Sequence, residues 1–168
     1  MRWGSVSQSV ATHAHCSVRI GRGHRKSGVQ DVKIIIGIDG SPHSKITLKS
    51  VASRIWPDKS EIRVLAVFDP SLFTTGVVVN IDAEYRYEWL TKVVNSTEKK
   101  LKEAGLHASG IVRGGNPEQV LVRKAKKWGA DCIFVGARGL SPIKHLLFGS
   151  VSSAVAMRAY CSVEIVRP

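Results

Sequence analysis

Near its carboxyl end the sequence reads Gly136-Ala137-Arg138-Gly139, then nine further residues, then Gly149-Ser150-Val151-Ser152. Glycines allow backbone to approach a phosphate closely, and free N–H groups at a helix start, with the hydroxyls of Ser150 and Ser152, form an anion site. A phosphate belongs there. Arg138, between the glycines, either adds charge to that site or stays a solvated loop cation. A second polar step, Gly37-Ile38-Asp39-Gly40-Ser41, places one carboxylate after an apolar run. Asp39 either meets a ligand or caps a turn, as Asp and Ser at strand ends often do. Neither a Walker A loop nor a GxGxxG fingerprint is present. No nucleophile with an adjacent base and no paired carboxylates accompany these residues, so the pattern points to binding, with hydrolysis weak or absent.

The elements that must position these groups follow from the apolar pattern. Short runs at Lys33–Asp39, Glu61–Phe68, His107–Val112, Asp131–Val135 and Ser162–Val166 alternate with segments of helical period. Ser41 with Pro42 opens one helix, and Asn116 with Pro117 and Glu118 opens another that Gly129 stops. A longer helix is expected from about Ile81 to Ala104, with Asp82, Glu84 and Glu88 early and Lys99, Lys100 and Lys102 late, as the helix dipole favours. Five strands with crossover helices predict an α/β fold, an open doubly wound parallel five-stranded sheet of Rossmann-like type. With the order 3-2-1-4-5, the ligand crevice lies between the ends of the first and fourth strands, where Asp39 and Gly136 fall.

The 168 residues are about one domain's worth, against roughly 100–200 per domain. Hydrophobic residues at 43% and charged residues at 23% exclude a disordered chain. No run approaches the roughly 18 apolar residues of a membrane span, so no membrane is expected. The net charge is +12; the first 30 residues hold five basic side chains and no acid, leaving +7 for the rest. Such a field attracts polyanions without selecting among them. Lys124, Lys126 and Lys127 are the best nucleic-acid candidates, but no helix-turn-helix, zinc-finger or RNP signature accompanies them, so a basic nucleic-acid-binding protein is the alternative reading. Cys16, Cys132 and Cys161 form no CxxC or metal-spaced set, which reads as a reduced, cytoplasmic protein.

One segment is written twice. Residues 4–22 match residues 149–167 at 12 of 19 positions with a constant offset of 145. Residues 1–22 therefore read as the last helix and strand of an upstream copy, 23–31 as a linker and 32–168 as the domain. The repeated segment lacks the Gly-x-x-Gly and Asp of the full unit; it is expected to fray rather than to dock.

Residues 32–168 resemble the universal stress protein family in its ATP-binding subclass. The resemblance rests on Gly136-x-x-Gly139-x9-Gly149-Ser150 after a strand, on Ile35-Ile36-Gly37-Ile38-Asp39-Gly40-Ser41, and on Gly115-Asn116-Pro117. Gly37 departs from the proline of some members. The resemblance implies that Asp39 lies on the adenosine and Mg²⁺ side, that the Val67 backbone meets the adenine edge, and that Val135 and Gly136 flank the ribose. Gly139, Gly149, Ser150 and Val151 would hold phosphates, with Arg138 and Ser152 beside them. It further implies a nucleotide-dependent regulatory module of the stress response in which ATP orders the Leu140–Phe148 loop, an unknown protein partner, and pairing through the last strand, Val163–Val166. That pairing would form a homodimer, or an intramolecular pair in a tandem protein.

Overall fold

Ile34, Ile36 and Ile38 of the first apolar run are buried against one layer of helices and Ile35 against the other. Successive strand residues point to opposite faces, and a parallel sheet is covered on both, so the run is apolar throughout. The computed structural model describes residues 4–22, 31–70, 83–140 and 149–168. In chain order its elements are α1 (Ser5–His13), β1 (Val18–Ile20), β2 (Lys33–Ile38), α2 (Pro42–Ala52), β3 (Glu61–Phe68), α3 (Ala83–Glu103), β4 (His107–Gly114), α4 (Pro117–Trp128), β5 (Cys132–Gly136), α5 (Ser150–Arg158) and β6 (Ser162–Val166). Val51, Leu90, Val94 and Leu101 of α2 and α3 pack on one face with Phe134, while Val120, Leu121, Val155 and Ala156 of α4 and α5 pack on the other.

Helix ends follow the local chemistry. The Ser41 hydroxyl accepts the Ser44 N–H at 3.2 Å with Pro42 at the first helical position, and Asn116 Oδ1 accepts the Gln119 N–H at 3.2 Å. Gly129, at φ +70°, ends α4 in the left-handed conformation that glycine adopts without penalty. Residues 81 and 82, expected to begin α3, lie outside the described residues.

The expected five-stranded sheet is corrected to six strands in the order β1-β6-β5-β2-β3-β4. The added strand is β1, which pairs antiparallel with β6; the other neighbours pair in parallel. The reversal in direction of winding falls between β2 and β5. A strand is expected within residues 1–22, and it forms at Val18–Ile20; the five-strand count of residues 32–168 left it out because the segment was expected to fray and not to join this sheet. It exists because β6 would otherwise leave a row of unpaired backbone groups at the sheet edge. The expectation of a frayed N-terminal segment is corrected with it: Ala11 is fully buried, and Val18 and Ile20 pack against the core beside Val163 and Ile165. Among the described residues no helix is long and apolar enough to cross a membrane.

Candidate functional site

β2 and β5 run side by side, with Gly37 opposite Val135, and their carboxyl ends deliver Asp39 and Gly136–Gly139 to one rim. The Asp39 carboxylate is fully engaged there. Its Oδ1 accepts the Ser41 N–H at 3.0 Å and the Ser44 hydroxyl at 2.6 Å, so it braces the start of α2. Its Oδ2 accepts the Leu140 N–H at 2.9 Å, which ties the loop after β5 back across the crevice.

Two glycines are required by close packing. A Cβ on Gly139 would fall 2.5 Å from Asp39 Oδ2, and one on Gly136 would fall 2.8 Å from His43 Cβ. The start of α5 is tied to the same loop, because the Gly149 N–H donates to the Ala137 carbonyl at 2.8 Å. Ser152 is buried, its hydroxyl 3.1 Å from the carbonyls of Ala137 and Gly149, so it anchors the helix instead of projecting outward. Ser150 is exposed and Val151 half-buried. No side chain caps α5 at Gly149, which leaves its first-turn N–H groups with no capping acceptor. Arg138 is exposed on the loop between the two.

Asp39, Gly136, Arg138, Gly139, Gly149 and Ser152 are thus brought together through the Asp39–Leu140 and Gly149–Ala137 bonds. Val135 is the residue of β5 before Gly136. Val67 stands on the same rim one strand away, just past Ala66, the partner of Ile38, and packs into the core with its side chain. The expected ligand loop continues through residues 141–148, which lie outside the described residues.

Three further groups reach the rim that the sequence reading passed over. His43, in the first turn of α2, has a buried Nδ1 without a hydrogen-bond partner among the described residues. Burial pushes its imidazole below the ordinary range, and the charges of Arg138 and Arg167 push it further against the pull of Asp39. Arg86 of α3 lies 4.2 Å over the Trp89 ring and is lowered by burial against the pull of Asp39. Arg167 follows β6 and feels Arg138. A polar residue just inside a helix cap was a readable signal for His43. Arg86 carried none, because only packing of α3 over Gly40 brings it to Asp39. There the Trp89 ring fills the space beside Gly40 and lines an open groove of about 260 Å³ that runs between α2 and α3 from Gly40 and Ser44 to Lys100.

Among the described residues, the exposed Arg138 and the Arg86 coupled to Asp39 lend the rim positive charge, suited to an anion held by backbone N–H groups. Among the described residues no three His, Cys, Asp or Glu side chains cluster as a metal site.

A doubly wound sheet with an anion-suited rim at its switch point defines the class. Residues 32–167 match the model of the universal stress protein family, and the chain belongs to that family. Universal stress protein YxiE of Bacillus subtilis is 32% identical over 146 residues, covering 80% of this chain and 98% of that protein. The solved structure of MJ0577 from Methanocaldococcus jannaschii is 25% identical with a TM-score of 0.67, covering 81% of this chain and 95% of that one. A universal stress protein in complex with cAMP shares the fold at 24% identity and a TM-score of 0.63, covering 81% and 97%.

Proposed function

We propose that the chain binds ATP at the rim between β2 and β5 and acts as a nucleotide-dependent module of the stress response, with hydrolysis weak or absent. The observation that carries this reading is the start of α5, which has no capping side chain and opens onto a rim where Arg138 is exposed, Arg86 is coupled to Asp39, and Arg138 and Arg167 act on His43. The unpartnered Nδ1 of His43 adds a buried polar atom in want of a partner. In this reading Gly139, Gly149, Ser150 and Val151 hold phosphates through backbone N–H groups, with Arg138 adding charge and Ser152 fixing the helix. Val135 and Gly136 flank the ribose and the Val67 backbone meets the adenine. Mg²⁺ would enter on the phosphates, on the side of the Asp39 carboxylate, supplying charge neutralisation. The cAMP complex of a fold relative supports an adenine ligand.

The proposal includes an upstream-copy origin for residues 1–22, a linker over 23–31 and a nucleotide domain over 32–168. It includes a cytoplasmic setting, which the three free cysteines favour, and a protein partner that senses the bound state. Its test is to denature the purified chain and count released nucleotide, then add back ATP with Mg²⁺. ATP or ADP near one per chain, lost in Gly139→Val and Gly149→Val, is the expected result. An empty protein that takes up none overturns the reading.

One observation favours a second reading. Arg63, Arg113, Arg123 and Lys127 gather around Lys124 on the side of β3, β4 and α4. A nucleic-acid ligand there would show binding that weakens steeply with salt and is lost when Lys124 and Lys127 become glutamate.

A further inference from the structure

The open groove between α2 and α3 carries charge of one sign over an apolar floor. Trp89, Val93 and Thr97 follow one another four residues apart and so form one row along α3, while Lys92, Ser96 and Lys100 form the row beside it. Across from them α2 contributes Lys45 and Leu48, and Gly40 and Ser44 line the upper end. Leu48, Trp89 and Val93 are half-buried against the core below and leave the rest of their apolar surface to the groove. Lys45, Lys92 and Lys100 are exposed along its sides. Among the described residues no Asp or Glu lines the groove, and α2 has none anywhere along its length. Elsewhere on α3 the lysines are matched: Lys99 lies 3.8 Å from Glu103 and Lys102 lies 2.6 Å from Glu98. Among the described residues Lys45, Lys92 and Lys100 have no such partner, so positive charge is neutralised away from the groove and left open along it.

We infer that this groove is the docking site for an acidic amphipathic helix of a partner protein. Its apolar side chains would cover Leu48, Trp89 and Val93, and its carboxylates would meet Lys45, Lys92 and Lys100. From Trp89 to Lys100 the wall is about 16 Å long, or about three turns, which matches a helix that presents anchors at i, i+3 or i+4, and i+7. An open trough suits a helix laid along it better than a small molecule, which needs most of its surface enclosed. The unopposed lysines favour an acidic partner and repel a basic one. At the upper end the Ser44 hydroxyl donates to Asp39 Oδ1 at 2.6 Å, so the docked helix ends beside the carboxylate of the rim. The inference deepens the partner part of the proposed function and rests on that reading only for what the partner senses.

The test uses the full chain. A random library of peptides of about twelve residues, matched to the groove in length, is displayed on phage and selected against it. Enriched peptides are synthesised and titrated by fluorescence anisotropy. The expected sequences combine Asp or Glu with Leu, Ile or Phe at helical spacing. Their binding is expected to fall about tenfold in Lys92→Glu with Lys100→Glu, and also in Ser96→Tyr, which fills the groove without changing its charge. All three positions are exposed, so these variants keep the fold. Lys59→Glu with Lys102→Glu makes the same change of charge on other faces and is expected to leave binding unaltered. Selection that yields no acidic amphipathic sequences, or binding that survives the groove variants, overturns the docking site. Equal loss in the Lys59 and Lys102 variant also overturns it, because net charge alone would then account for the attraction. Nucleotide is counted in the same preparations: protein that holds ATP and selects no such peptide refutes the groove alone, and protein that binds peptide but takes up no ATP refutes the nucleotide reading alone.

Discussion

Gly40 is where backbone conformation and close packing coincide, and their separate costs are measurable. Its φ is +82°, and a Cβ there would lie 2.1 Å from a Trp89 ring carbon. In Gly40→Ala the left-handed conformation costs about 1–2 kcal/mol for a residue with a Cβ. Forcing the methyl into the packed Trp89 ring adds about 1–3 kcal/mol of overpacking. The total expected loss is about 2–5 kcal/mol, a large share of the roughly 5–15 kcal/mol by which domains are stable. Trp89→Leu removes the ring, and in that background Gly40→Ala is expected to cost only the backbone part, about 1–2 kcal/mol. The difference between the two costs is the coupling energy of a double-mutant cycle, read from urea unfolding of the four proteins. Equal costs in both backgrounds would refute the steric argument, and a cost near zero with Trp89 present would refute both parts. Because Gly40 joins Asp39 to Ser41, Gly40→Ala is also expected to weaken nucleotide retention.

His43 makes stability pH-dependent. Its folded pKa is lowered, so below the ordinary histidine value of about 6.5 the unfolded chain binds a proton that the folded chain does not. Its contribution is complete above that value and is lost as pH falls toward the folded pKa, below which it levels off. Urea midpoints measured between pH 8 and 5 should show this slope, and His43→Gln should flatten it. The cysteines should differ in reactivity: burial pushes Cys132 up to about 12 and Cys161 up to about 11, while Cys16 is exposed. A thiol reagent at pH 8 is expected to label Cys16 alone in the folded protein and all three when unfolded; rapid native labelling of Cys132 would contradict its burial. Arg54 holds the nearly buried Glu164 through both guanidinium nitrogens, with Nη1 at 2.9 Å from Oε2. Arg54→Ala leaves that carboxylate buried without its partner and is expected to cost about 3 kcal/mol, at the lower end for a broken buried pair because Arg54 is partly exposed. Chemical denaturation checks it, and a loss well below 1 kcal/mol would show that water replaces the guanidinium.

The parts legible in the sequence are those governed by neighbours in the chain. Ser41-Pro42, Asn116-Pro117 and Gly129 mark helix ends because caps and left-handed turns act within about four residues. Ile34–Ile38 reads as a buried strand because a sheet covered on both faces leaves no polar position. Gly136, Gly139 and Gly149 stand out by their spacing, although the atoms that exclude a Cβ at Gly136 and Gly139, those of His43 and Asp39, come from another strand-helix unit. The repeat of residues 4–22 in residues 149–167 was equally visible in the sequence.

Tertiary structure alone decided where that repeat goes and what surrounds Asp39. An edge strand three residues long is stabilised almost wholly by its partner, so β1 becomes a strand only once β6 presents an open edge. His43, Arg86 and Arg167 come from three separate elements, and no local pattern relates them. Arg86 comes within electrostatic reach of Asp39, and Arg167 of His43, because α2 begins at, α3 passes over and β6 runs toward the rim that the reversal between β2 and β5 creates. Sequence spacing thus specified the glycines and caps that shape the backbone of the site, while the charge around it was decided by long-range packing.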